Sequence, residues 1–254
     1  VRHRLQVSTG LALAAGAGLV LRGGVPPIEL LTLPLLLLFL PGMAFAQLPL
    51  LPLVPMERTA LYRSSALAIL AIGGVGLLAG WHLGGGGMEG LGALGLRLLP
   101  TRELLLWTLG LTGSGLLILS VSERVSAEPE SFLARLLPRT PAEKREFALL
   151  SLAAGIGEEL AYRGYLLLAL PLVGLPTWGG VMVSALAFGV LHSYQGGIGV
   201  LRTGVVGLLF SLPLLLTGSL IPSILAHTLV DLIAGLILGP RWLSPSLVLR
   251  AACR

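Results

Sequence analysis

"RTPAEKREFALLSLAAGIGEELAYRGYLLLAL", residues 139–170, opens like a surface helix and then runs into sequence suited to hydrocarbon. Thr140 is placed to cap a helix, Pro141 suits its first position and Glu143 completes the capping-box spacing, so a helix is predicted from about residue 141. Beyond Phe147 the stretch is apolar except for small polar residues and three ionisable ones, Glu158, Glu159 and Arg163. At 1.5 Å per residue Glu158 stands about 25 Å along the helix, well inside a layer about 30 Å thick. This is either a soluble core helix with misplaced charges or a membrane span with chemistry in it, and the remainder of the chain decides for the second.

Of 254 residues, 55% are hydrophobic and only 11% charged, with a mean hydropathy of +0.92, far outside the usual soluble range. A closed barrel would show short alternating strands, which this sequence lacks. The expectation is an all-α polytopic membrane protein, residues 1–254 forming a single integral-membrane domain with about eight transmembrane helices. The apolar segments are roughly 5–21, 28–54, 60–81, 103–121, 143–170, 176–194, 198–217 and 220–238. The second is interrupted by Pro34, Pro41, Pro49 and Pro52, so its membrane location is clearer than its helicity. The glycine-rich stretch 82–100 reads as a loop with a short interfacial piece.

Charge sets the expected orientation. With eight spans, Arg2, Arg4, Arg58, Arg63, Arg124, Arg135, Arg139, Lys144, Arg145, Arg202, Arg241, Arg250 and Arg254 fall on the side of the termini, and Arg22, Arg97 and Arg102 opposite. Thirteen against three places both termini in the cytoplasm and the protein in the cytoplasmic membrane. The basic N-terminus followed by "LALAAGAG" is read as a first span rather than a cleaved leader, because removing it would reverse that agreement. The formal charge of +5 comes with no polybasic run interleaved with aromatics, so nucleic acid is not an expected partner. The single cysteine, Cys253, allows no intrachain disulfide. The polar segment 122–146, with Phe132, Leu133, Leu136 and Leu137 at helical spacing, is expected to lie along the membrane surface.

Ionisable groups inside hydrocarbon usually pair, line a cavity or work. In the C-terminal spans they are Glu158, Glu159 and Arg163, then His192 in "AFGVLHSY", then His227 and Asp231 in "AHTLVDL". Glu159 and Arg163 are four apart with the acid first, the favoured order for an ion pair. Glu158 is rotated by about 100° and has no basic residue three or four positions away, which leaves it free for general-base work. His227 and Asp231 share a helix face; the acid either orients the imidazole or points with it at a common ligand. Plainer readings stand beside these: an interfacial histidine at a helix end for His192, a hydrogen-bonded helix contact for His227 with Asp231, and packing for Phe188. A carboxylate and two imidazoles on three helices suit activation of water, directly or through a metal. No H-E-x-x-H, G-x-S-x-G or P-loop is present.

Taken in order, "EELAYR" (158–163), "FGVLH" (188–192) and "HTLVD" (227–231) fit E-E-x-x-x-R, F-x-x-x-H and H-x-x-x-N/D. They resemble the CPBP family, also called ABI, of intramembrane proteases, which includes CAAX prenyl endopeptidases and bacterial relatives linked to bacteriocin processing and self-immunity. The resemblance covers about 139–238, a protease-like core, and the first four spans share only hydrophobicity. It implies that Glu158 activates the attacking water, that His192, His227 and Asp231 complete the site, that Glu159 and Arg163 support it, and that Phe188 packs beside it. Asp231 stands where well-studied eukaryotic members carry asparagine, and so brings a second carboxylate.

Two versions of the chemistry follow from the resemblance. Glu158, His192 and His227 would supply three ligands to one zinc ion with water as the fourth. Without metal, Glu158 would act as base and the histidines as oxyanion donors; this version keeps the best base free. The implied activity is endopeptidase cleavage of a membrane-associated substrate, prenylated and CAAX-like or a bacteriocin-like hydrophobic peptide, in a cavity open to the cytoplasm and surrounded by membrane lipid. Competing classes are a non-catalytic immunity or scaffold protein and a proton-coupled transporter, the latter disfavoured because no inverted repeat is visible.

Overall fold

The computed structural model describes residues 2–53, 57–125 and 135–239. Phe132 and Leu133 of the expected surface segment, and the C-terminal Arg241, Arg250, Cys253 and Arg254, lie outside the described residues. Within them all regular structure is helical: α1 (Arg2–Arg22), α2 (Glu29–Leu53), α3 (Arg58–Leu83), the short α4 (Gly87–Ala93), α5 (Thr101–Val125), α6 (141–173), α7 (Thr177–Leu191), α8 (Ser193–Thr217) and α9 (Ile221–Leu238). The 82–100 stretch accordingly holds one short helix, fastened by the Trp81 indole N–H donating to the Gly87 carbonyl at 3.0 Å.

Each apolar segment expected from the sequence coincides with a helix. Six are long and apolar enough to cross a membrane: α1, α2, α3, α5, α8 and α9. The 15 residues of α7 rise only about 22 Å. Helix α6 has the length but holds three ionisable side chains midway, and it is buried in protein from Gly157 to Leu166 rather than presented to lipid.

Proline shapes α2 without ending it. Pro34 has no N–H to offer the preceding turn, and the next residues, Leu35–Phe39, widen into a π-helix before α-geometry resumes at Leu40. Pro49 and Pro52 then tighten Leu48–Leu53 into a 3₁₀ turn.

Glycine draws the helices around α6 together. A Cβ on Gly73 of α3 would collide with Gly157 of α6, and one on Gly157 would meet the Ile69 carbonyl; a Cβ on Gly76 would also crowd Ala161. On the opposite side Gly155 faces Thr228 and the Ile224 carbonyl of α9. Such contacts let backbones approach where lipid offers no hydrophobic drive to association. Gly157→Val is therefore expected to cost about 1–3 kcal/mol through overpacking, seen as a lower thermal midpoint in detergent. An unchanged midpoint would contradict the close approach.

The helix start is built as the sequence predicts. Thr140 Oγ1 accepts from the Glu143 N–H at 3.2 Å, while Glu143 Oε2 accepts from the N–H groups of Arg139 (2.6 Å) and Thr140 (3.1 Å). The Arg139 bond above all holds the Glu143 carboxyl below its usual range. Arg58 reaches both Glu143 (3.6 Å) and the Arg135 carbonyl (2.8 Å), Tyr62 donates to the Leu136 carbonyl, and Arg63 pairs with Glu146 at 2.7 Å. These contacts pin the 135–140 segment and the start of α6 to α3, which fixes how far Glu158 enters the bundle.

Candidate active site

Three helices deliver the site. Helix α6 passes from α- to π-geometry directly after Glu159, over Leu160–Tyr165. A π-turn carries an extra residue per hydrogen-bonded ring and shifts the side chains beyond it, and such turns gather at functional sites. Helix α7 ends at His192, whose backbone N–H bonds the Gly189 carbonyl at 3.0 Å, and a single 3₁₀ turn, Ser193–Gln195, leads into α8. Helix α9 presents His227 and, one turn on, Asp231.

The three motifs meet in one buried cluster. Glu158 Oε2 lies 3.8 Å from His192 Nε2 and 3.7 Å from His227 Nε2. Among the described residues it has no hydrogen-bond partner. The Phe188 carbonyl lies 2.8 Å from His192 Nδ1. Since a carbonyl only accepts, Nδ1 carries the proton and Nε2 is left to face Glu158. Asp231 sits at the edge of the cluster, its side chain 36% exposed and its Oδ2 3.8 Å from His227 Nε2.

Glu159 does more than the expected ion pair. Its fully buried Oε1 accepts from Arg163 Nη1 at 3.1 Å and also meets His227 Nδ1 at 2.9 Å. The two acids thus divide His227 between them, Glu159 on Nδ1 and Glu158 opposite Nε2. Of the two readings of Asp231, orienting this imidazole or sharing a ligand with it, the first is set aside: Glu159, 68 residues away in the chain, makes that hydrogen bond, and 3.8 Å is too long for Asp231 to make it directly.

Phe188 packs as expected, and at the centre. The Arg163 guanidinium lies 4.0 Å over its ring, with the rings of His192 at 4.5 Å, Tyr162 at 5.4 Å and His227 at 6.2 Å. Gly207 of α8 leaves room for the cation, because a Cβ there would stand 3.0 Å from Arg163 Nη2.

Several neighbours of the cluster lie outside the three motifs. Tyr194 places its ring 5.8 Å from His192, and Phe210 stands 6.1 Å from His227. Arg202, assigned by charge to the side of the termini within the 198–217 segment, lies inside α8 and is nearly buried, bonding Glu123 of α5 and Gln195 at 2.6 Å each and Ser122 at 3.1 Å. It ties the turn after His192 to α5. Arg202 inside the apolar 198–217 segment was the available signal, but its pairing with Glu123 spans 79 residues.

The residues do not fit a three-ligand metal centre as arranged. The 3.7 and 3.8 Å separations exceed the about 3.4 Å edge that tetrahedral bonds of roughly 2.0–2.1 Å impose. Among the described residues no group of three or more His, Cys, Asp or Glu side chains is placed to hold a metal ion.

Residues 144–233, which contain the whole cluster, match the family model described as Type II CAAX prenyl endopeptidase Rce1-like. No curated protein and no solved structure matches the chain. The family match supports a protease of the CAAX type in general, and the apolar helices agree with a membrane protein. The three motifs that converge on one buried carboxylate all lie within the segment that matches the Rce1-like model, residues 144–233, and that match is consistent with the CPBP family of CAAX proteases.

Proposed function

We propose that the protein is an intramembrane endopeptidase that hydrolyses peptide bonds in membrane-associated substrates, prenylated and CAAX-like or otherwise hydrophobic. The observation that carries this reading is Glu158 itself: a buried carboxylate oxygen without a hydrogen-bond partner among the described residues, faced by two imidazole nitrogens at 3.7 and 3.8 Å. Separations of that size suit a bridging water better than direct contact.

In the proposed reaction Glu158 takes a proton from water as the oxygen attacks the peptide carbonyl carbon, and His192 Nε2 accepts the second water hydrogen and aims the attack. Glu158, Glu159 and Asp231 surround His227 and compensate an imidazolium, whose Nε2–H donates to the oxyanion as it forms. Collapse of the tetrahedral intermediate breaks the C–N bond, and the proton held by Glu158 passes to the departing amine. Asp231, the most exposed acid of the cluster, marks the side from which substrate would enter. Arginine and lysine concentrated on the side where α6 begins support a cytoplasmic-membrane location, with the termini and the site mouth facing the cytoplasm.

The test is cleavage of a prenylated CAAX peptide and of short hydrophobic peptides by the protein in proteoliposomes, before and after stripping with chelator, with bound metal quantified. Turnover is expected to survive stripping. Activity that vanishes and returns with zinc would overturn the metal-free chemistry, and an intact protein that cleaves none of these peptides would favour the non-catalytic scaffold reading.

A further inference from the structure

A second feature lies on the far flank of α7. A cavity of about 510 Å³ opens between α1, α2 and α7, and every residue lining it is aliphatic or glycine. The sequence builds it. Pro34 and Pro41, seven residues and so two turns apart, place their short rings on this face of α2 with the π-turn between them. Ala15 of α1, Gly42 of α2 and Ala187 of α7 keep the floor low. No polar side chain lines it to hold water, so the hollow suits a hydrocarbon chain.

One end of this hollow has a cation. Leu19 and Val173 line it, and Arg22, three residues after Leu19 at the end of α1, lays its guanidinium over the turn that follows Val173. Gly174 holds that turn with φ +86°, and a Cβ there would stand 3.1 Å from Arg22 Nη2. None of the ion pairs among the described residues involves Arg22. An exposed guanidinium at the end of a span, above an aliphatic hollow, matches the head and tail of one molecule: a phosphate takes paired N–H donors from arginine, and an acyl chain fills the groove.

We infer that the α1–α2–α7 groove binds a single glycerophospholipid with an anionic headgroup, its phosphate on Arg22 and one acyl chain along Pro34, Pro41 and Ala187. The bound chain fills the side of α7 opposite the catalytic cluster, next in sequence to Phe188, and so supports the helix that ends in His192. This inference does not depend on the peptidase reading.

The experiment is photolabelling in phosphatidylcholine proteoliposomes with a trace of phosphatidylglycerol carrying a diazirine along its acyl chain. Label is expected to concentrate on Ala15, Leu37 and Val183, and to be competed by unlabelled phosphatidylglycerol but not by added phosphatidylcholine. Arg22→Gln, a surface change that leaves the packing alone, is expected to reduce labelling about five-fold, the worth of one basic side chain at an anionic headgroup. Ala15→Trp, which fills the groove, is expected to remove label from Val183. Label spread evenly over the lipid-facing helices, equal competition by phosphatidylcholine, or labelling indifferent to Arg22→Gln would each overturn the site.

Discussion

Glu158→Gln is expected to lower peptidase turnover by roughly 10²–10⁴-fold, the usual contribution of a positioned general base, while the protein stays folded. The substitution preserves volume and shape while removing the capacity to accept a proton and one of the three charges around His227. Oε2 of Glu158 has no hydrogen-bond partner among the described residues, so the amide breaks no bond made by that atom. It also relieves a charge from a site 8% exposed, where ionised groups are costly. The thermal midpoint is therefore expected to stay level or rise. His227→Ala should also lower turnover, but at a cost in stability, because it leaves Glu159 with Arg163 alone. Comparing kcat and midpoint for the two variants on one peptide checks the division of labour. Turnover of Glu158→Gln within a few-fold of the parent would remove Glu158 from the proposed chemistry.

Much of this arrangement can be read in the sequence where the governing rule is local. Helix periodicity, the Thr140 cap and the order of Glu159 and Arg163 depend on residues within four positions, and each appears as the spacing predicts. Gathering Glu158, His192 and His227 follows from three motifs on three apolar helices, since ionisable groups in hydrocarbon have few places to go except toward one another. What was not legible depends on contacts across the chain. The i,i+4 rule gives Glu159 to Arg163 and has nothing to say about a histidine 68 residues on, so within that rule Asp231, one turn from His227, is the one acid that could orient it. The π-turn at Leu160–Tyr165 has no sequence signature: Leu, Ala, Tyr, Arg and Gly at these positions also suit an ordinary helix turn. Glycines 73, 155 and 157 read as loose helix interior until α3 and α9 are seen pressed against them.

Arg163→Met is expected to destabilise the fold by about 3–5 kcal/mol, the loss typical of breaking a buried charge pair from one side. Arg163 is 1% exposed and Glu159 fully buried, so neither water nor lipid headgroups can replace the missing partner. Glu159 then keeps only His227, and the Phe188 ring loses the cation 4.0 Å above it, a contact worth about 2 kcal/mol when desolvated. Adding Glu159→Gln to Arg163→Met removes the stranded charge. The amide oxygen still accepts from His227 Nδ1, so the double variant is expected to regain the part of the loss due to the stranded charge but not the cation–ring contact. Activity should not return with it, because a neutral residue at 159 no longer compensates an imidazolium at His227. Unfolding midpoints in detergent, measured beside turnover for the two single variants and the double, separate these effects. A single Arg163→Met variant as stable as the parent would show that the pair does not hold the helix. Full recovery of turnover in the double variant would confine Glu159 and Arg163 to a structural part, with the charge on His227 set by Glu158 and Asp231 alone.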